Sequence, residues 1–181
     1  MLLKLLGEEG ERSLLSGAVS VSAPMDLAVC VKRMSRGFSR VYQRRLMKDL
    51  IRLLIKKYFT HDMDKMIGIN QNEVKKLKTF WEFDDIYTGP IHGFSGADEY
   101  YQKSSSKQFL KNIKIATLII NAKDDPFMTP EVLPKKEEMS ETITLEVSQH
   151  GGHVGFVGGT ILSPEYYLEQ RIIDFLIPNT L

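Results

Sequence analysis

Apolar and polar positions along this chain follow two alternating periods. Leu2, Leu3, Leu5 and Leu6, followed by Gly7 and Gly10, read as the closing turns of a buried helix, stopped by residues that tolerate the left-handed conformation. Gly17-Ala18-Val19-Ser20-Val21-Ser22-Ala23-Pro24 is then a short β-rich run ended by proline, the pattern of a buried parallel strand feeding a loop. From Asp26 to about Tyr87 the period becomes helical. Phe38, Tyr42, Leu46, Leu50 and Leu53 are spaced for one face of a long helix, and a second helix is predicted through Val74, Leu77, Phe80 and Trp81. After Gly89-Pro90 and Gly93 the strands return. Residues 115–120 give the strongest strand signal and residues 143–147 the next, while residues 166–176 read as an amphipathic helix with Leu168, Ile172, Phe175 and Leu176 inward. Strands alternating with helices predict an α/β fold with a parallel sheet covered on both faces. The helical block between the first two strands, residues 26–100, has the size and position of a cap-like insertion over a pocket at the strand ends, the alternative being plain core-packing helices.

Composition adds bounds rather than a function. A chain of 181 residues, 43% hydrophobic, is the size of one globular domain with an ordinary core. A formal charge of +1 provides no whole-chain field for a polyanion or an acidic substrate. Cys30, the single cysteine, excludes an internal disulfide and fits a reducing compartment. The apolar start is interrupted within a few residues and is too short to span a membrane, so a cytoplasmic or membrane-associated location is expected. Charge is concentrated locally, in Lys32, Arg33, Arg36, Arg40, Arg44, Arg45, Lys48, Arg52, Lys56 and Lys57. With Phe38, Leu46 and Leu50 opposite, this basic stretch could rest on anionic lipid headgroups, the alternative being a solvated helix face. No nucleic-acid-binding module accompanies it, so no nucleic acid partner is expected.

Candidate chemistry lies in two late segments. Ile119-Ile120-Asn121-Ala122-Lys123-Asp124-Asp125-Pro126 places acids just after an apolar strand, and Gln149-His150-Gly151-Gly152-His153-Val154-Gly155-Phe156 places histidines in a glycine-rich loop after the next. In an open parallel sheet, loops at the carboxyl ends of strands converge on one crevice. An imidazole there can act as general base for a serine hydroxyl, and a carboxylate can fix its tautomer and stabilise the imidazolium. Asp125 is the preferred acid, although Asp124 is nearer the strand end and could instead cap the turn. His153 is the preferred base, with His150 a supporting or exposed side chain. Taken singly, either motif reads equally well as an Asp-Pro turn or a solvated loop.

The chain resembles the carboxyl-terminal part of the YheT-like branch of the α/β-hydrolase superfamily, which includes esterases and phospholipases. The resemblance is carried by Val21-Ser22-Ala23-Pro24, Gly37-Phe38-Ser39-Arg40-Val41-Tyr42-Gln43-Arg44, Glu82-Phe83-Asp84-Asp85, Ile91-His92-Gly93-Phe94, Asp98-Glu99-Tyr100-Tyr101, Ala122-Lys123-Asp124-Asp125-Pro126-Phe127 and His150-Gly151-Gly152-His153-Val154-Gly155-Phe156. It implies the carboxyl-terminal portion of an α/β-hydrolase fold, residues 1–181 forming a partial domain of about three parallel strands with a helical cap. Asp125 and His153 correspond to the family's charge-relay acid and histidine. The implied reaction is hydrolysis of a small-molecule carboxylic ester, acyl or lipid, through an acyl-serine, with no metal or organic cofactor.

One part of the pattern is missing. No Gly-x-Ser-x-Gly nucleophile elbow stands in the chain, and such proteins carry it immediately before the helix that here begins at Met1-Leu2-Leu3-Lys4. The expectation is therefore a fragment with little or no turnover alone; the alternative is a non-catalytic interaction domain that uses the old pocket for binding. A first strand without its inner neighbour also predicts association or poor solubility. Gly93-Phe94-Ser95-Gly96-Ala97 approximates an elbow, but Thr88-Gly89-Pro90-Ile91-His92 is no buried strand, so Ser95 reads as a turn residue. Cys30 reads as a core or loop thiol rather than a nucleophile.

Overall fold

The β-rich runs become three parallel strands. In chain order, α1 (Leu2–Glu9) and β1 (Gly17–Val21) precede a helical stretch of α2 (Leu27–Met34), α3 (Ser39–Lys57), α4 (Met63–Ile67), α5 (Gln71–Val74), α6 (Phe80–Phe83), α7 (Gly89–Ile91) and α8 (Ala97–Ser104). Then come β2 (Ala116–Ala122), β3 (Ile143–Ser148), β4 (Val157–Thr160), β5 (Ser163–Tyr166) and α9 (Tyr167–Thr180). The computed structural model describes residues 1–160 and 162–180. They divide into two compact units, residues 27–104 and the segments on either side of them.

In the sheet-bearing unit the strand order is β1-β2-β3, all parallel. β2 is the middle strand, and its run of Leu118, Ile119 and Ile120 is almost wholly shielded from solvent, as a strand covered on both faces must be. Burying each of these side chains is worth about 1.5–3 kcal/mol. Leu168 and Phe175 of α9 pack on the cluster of Leu118, Ile120, Ala122 and Phe156, together with Val19 and Val21. Ile172 and Leu176 are half-buried. Leu3 and Leu6 of α1 are also buried. Gly7, expected to stop this helix, lies inside it: a Cβ there would stand 2.3 Å from the Phe109 carbonyl oxygen, so glycine permits close packing against the 3-10 turn Lys107–Asn112. Gly10, at φ 55°, ends the helix.

The antiparallel pair β4–β5 was not predicted. Gly158, Gly159 and Pro164 argue against strands, and its described residues are exposed, so neither propensity nor an apolar face marks it.

The unit 27–104 corrects two further expectations. Residues 39–57 do form the long helix α3, but its inward face is Gln43, Met47 and Leu54, while Phe38, Tyr42, Leu46 and Leu53 are exposed. Met47 and Leu54 join Met63, Val74, Phe83 and Tyr87 in the core of this unit. Two partly apolar rows run side by side on α3, and a period of 3.6 fits both; only partners choose between them. The predicted second helix is broken into α5 and α6. Asn70 with Glu73 and Thr79 with Glu82 form capping boxes, each satisfying the amides at the start of a new short helix.

The segment Glu82-Phe83-Asp84-Asp85 has a structural role at each position. Glu82 completes its capping box, and Phe83 enters the core. Asp84 accepts 2.7 Å from the Tyr101 hydroxyl, and Asp85 accepts 2.9 Å from the Ala97 N–H at the start of α8. Burial pushes the Asp84 carboxyl up from its ordinary range.

α9 is tied to β3 by charge. Arg171 Nε and Nη2 donate to Glu146 Oε1 at 2.9 and 2.6 Å, and the Tyr167 hydroxyl donates to Oε2 at 2.7 Å. The Arg171 hydrogen bond holds the Glu146 carboxyl below its ordinary range. A depressed carboxylate contributes stability that is complete above its unfolded value, about pH 4.3, and is lost as pH falls through the folded value. Both side chains keep about a quarter of their surface exposed, so the contribution is screened. Glu146→Gln is expected to lower stability by up to about 1 kcal/mol at neutral pH. The difference closes when urea unfolding is repeated near pH 3; an equal loss at both pH values would rule out this linkage.

Candidate active site

The carboxyl ends of β2 and β3 are stitched together where Lys123 N–H donates to the Ser148 carbonyl at 2.9 Å. Beyond this stitch the chain turns through Asp124 and Asp125, whose side chains face different environments. Asp125 is 4% exposed as a residue. Its Oδ1 accepts from Phe127 N–H at 2.8 Å in an Asx turn, and its Oδ2 lies 2.9 Å from His153 Nδ1. Asp124 is exposed, and its Oδ1 accepts from Gly152 N–H at 2.8 Å. That amide hydrogen bond holds the Asp124 carboxyl below its ordinary range. His150 is almost fully exposed, with Nδ1 3.6 Å from Asp124 Oδ2.

The histidine loop is held from several sides. A Cβ at Gly151 would stand 2.7 Å from the Phe156 ring and 3.0 Å from Ala122 Cβ, so only glycine lets the loop pass this close to the end of β2. Gly152 takes φ 58°, a conformation that costs glycine nothing. Gly155 and Phe156 N–H both donate to the Gly151 carbonyl, at 3.1 and 3.0 Å. Phe156, itself at φ 46°, anchors the loop by burial in the strand cluster. The Phe127 ring meets the His153 ring edge-on at 4.7 Å.

A carboxylate only accepts, so the 2.9 Å contact assigns the proton to His153 Nδ1 and leaves the Nε2 lone pair available. The ring side chain is 37% exposed, whereas that of Asp125 is 1% exposed. A buried carboxylate behind a half-exposed imidazole can orient the ring and stabilise its cation while Nε2 takes a proton from an alcohol.

Two further polar groups were not singled out from the sequence. Ser22, after β1, takes φ 49°, is 3% exposed, and its hydroxyl has no partner among the described residues. Asn121 Oδ1 on β2 is likewise buried and unpartnered, while its Nδ2 lies 3.6 Å from Met128 Sδ. Orphaned polar atoms and positive φ are properties of coordinates; the only sequence signal was Ser22 within Val21-Ser22-Ala23-Pro24.

Ser95 is an exposed turn residue whose N–H donates to Glu99 Oε2 at 2.7 Å, and the helical turn α7, not a strand, precedes it. Cys30 is buried on α2. Among the described residues no group of three His, Cys, Asp or Glu side chains could hold a metal ion.

No protein-family model matches the chain. Individual proteins do. YheT of Escherichia coli K12 is 43% identical over 176 residues, covering 97% of this chain and 51% of that protein. The chain belongs to the YheT-like branch of the α/β-hydrolase superfamily. A monoacylglycerol lipase of Saccharomyces cerevisiae is 33% identical over 86% of the chain and 35% of its own length, and mouse phospholipase ABHD3 is 26% identical over 97% and 42%. The chain thus spans about half the length of YheT and less of the other two. It corresponds to the carboxyl-terminal part of these YheT-like relatives, which are themselves named as an esterase, a monoacylglycerol lipase and a phospholipase.

The geometry makes a spectroscopic prediction. In long-range 1H–15N spectra, neutral His153 is expected as the Nδ1–H tautomer. Asp124→Asn leaves that tautomer unchanged, whereas Asp125→Asn, which can donate an amide N–H to Nδ1, shifts the ring toward the Nε2–H form. The same spectrum in all three proteins would show that Asp125 does not set the tautomer.

Proposed function

We propose that Asp125 and His153 are the acid and base of a serine-type carboxylic ester hydrolase whose nucleophile is not among these 181 residues. The observation that carries this is the 2.9 Å contact between His153 Nδ1 and the buried Asp125 carboxylate, at the end of a parallel sheet. In the complete site, His153 Nε2 takes the proton of a serine hydroxyl as its oxygen attacks the ester carbonyl. The alcohol leaves with that proton, and His153 then activates water to release the acid from the acyl-serine. Asp125 keeps the ring in the productive tautomer and stabilises its cation. The substrate is an acyl or lipid ester, as the names of the relatives suggest, and residues 26–100 are proposed as a cap-like insertion. No step requires a metal or an organic cofactor.

These 181 residues alone are proposed to be inactive, because their sequence has no Gly-x-Ser-x-Gly elbow and members of a triad act as a unit. Hydrolysis of a short-chain aryl ester tests this. The chain alone is expected to show no turnover, and a version extended upstream with a strand and elbow is expected to show it. In the extended protein His153→Ala and Asp125→Asn each cost at least about a thousandfold in kcat/KM, while Ser95→Ala costs nothing. Activity of the short chain abolished by Ser95→Ala would overturn the reading. An extended protein that folds but never turns over would favour a non-catalytic interaction domain.

Membrane contact belongs to the same proposal. Phe38, Tyr42, Leu46 and Leu53 are exposed on and beside α3, with Arg45 and Lys56 among them, the arrangement of a helix that lies at a lipid surface. No helix among the described residues is long and apolar enough to cross a membrane. Nucleic acid is not a proposed partner. In co-sedimentation with phosphatidylcholine–phosphatidylserine vesicles, the pair Leu46→Glu and Leu53→Glu is expected to weaken binding at least about tenfold. Unchanged sedimentation would remove this face from the membrane.

A further inference from the structure

The basic residues of α3 do not all serve that exposed apolar row. Arg40, Arg44 and Lys48 follow one another at intervals of four and line one wall of a hollow of about 560 Å³. Lys75 and Lys78, from the turn between α5 and α6, line the other wall. The hollow lies wholly within residues 27–104.

Five cations face one acid there. Glu82 is that acid, and its Oε2 already accepts from Lys78 and Thr79 N–H, at 2.7 and 3.0 Å, in the capping box. None of the five cations forms an ion pair among the described residues. Asp49, the only carboxylate on α3, is held by Arg52. Like charges four residues apart oppose a helix, so the row Arg40, Arg44, Lys48 works against α3 until an anion neutralises it.

A neutral donor on a largely buried residue points to the same place. Gln43 is 4% exposed and lines the hollow. Its Oε1 accepts from Phe80 N–H and from the Ser35 hydroxyl, both at 3.3 Å. The Phe80 amide can only donate, so the amide orientation is settled and Gln43 Nε2 is left with donors and no acceptor among the described residues. A concave site lined by two guanidinium forks, three ammonium groups and an unused amide donor matches a compact, multiply charged acceptor. Its volume exceeds that of a bare ion and suits a headgroup-sized molecule.

We propose that this hollow binds the phosphate group of a phosphate ester. The shared chemistry, a tetrahedral oxyanion met by Arg and Lys from two walls, could be presented by a soluble phosphate ester or by a phospholipid headgroup. The assignment stands apart from the esterase reading, because its test reads binding rather than turnover.

The test uses the full chain. Calorimetric titration with inorganic phosphate and with glycerol 3-phosphate is run beside co-sedimentation with phosphatidylcholine vesicles, with and without phosphatidic acid. Saturable binding of either soluble probe identifies a soluble source; binding only to the phosphatidic acid vesicles identifies a lipid headgroup. In either case Arg44→Glu with Lys78→Glu abolishes the interaction, the vesicle arm being read in the Leu46→Glu, Leu53→Glu background so that the exposed row of α3 does not contribute. The milder pair Arg44→Gln with Lys78→Gln weakens it at least about tenfold and decides the matter if charge reversal disturbs folding. Lys56→Glu, outside the hollow, and the Leu46→Glu, Leu53→Glu pair leave glycerol 3-phosphate binding unchanged. Absence of binding to every probe overturns the proposal. So does binding that both hollow variants retain, or an equal response to succinate at the same ionic strength.

Discussion

β2 is the element on which the sheet-bearing unit depends. Its side chains from Thr117 to Ala122 are buried, and it pairs in parallel with β1 on one side and β3 on the other. A strand buried on both faces cannot slip by one residue without moving its apolar set across the sheet, so its carboxyl end is fixed in space. Everything that follows Ala122 starts from that point. The turn holding Asp124 and Asp125 leaves β2 there, the Lys123–Ser148 hydrogen bond brings in the end of β3, and the histidine loop packs Gly151 against Ala122.

The two acids are adjacent in sequence but have separate work. Asp125 turns inward and divides its oxygens between Phe127 N–H and the His153 ring, while Asp124 turns outward and grips the Gly152 amide. One carboxylate thus contacts the imidazole and the other holds the loop that carries it. A glycine pair is needed because the loop must pass within van der Waals contact of Phe156 and Ala122 and then adopt positive φ.

The helical unit shows a different economy. Its core is modest, built around Met47, Leu54, Val74 and Phe83, and much of its definition comes from polar groups. Capping boxes start α5 and α6, Asp85 starts α8, and Tyr101 reaches the half-buried Asp84. The row of like charges on α3 does not contribute to this definition, whereas Gln43 contributes through its Oε1, which accepts from Phe80 N–H and the Ser35 hydroxyl.

The sequence by itself determined the local periods and the punctuation. Residues 17–24, 115–120 and 143–147 could be read as strand runs because β-branched and apolar runs bounded by turn residues have few other uses, and alternation with helices implied a parallel sheet. The order of acid turn and histidine loop after successive strands was equally plain. Tertiary structure decided everything that depends on a partner. It turned Met47 and Leu54, not Leu46 and Leu53, toward the core of their unit, and it made Gly7 a packing surface rather than a stop. It faced Asp125 rather than Asp124 toward His153, and it left Ser22 and Asn121 with polar atoms that have no partner among the described residues. The physical reason is the same in each case. Periodicity and turn chemistry are sums over neighbours in the chain, whereas the side chosen by a two-faced helix, the direction of one carboxylate in a pair and the satisfaction of a buried hydroxyl are set by atoms that the chain brings together from far apart.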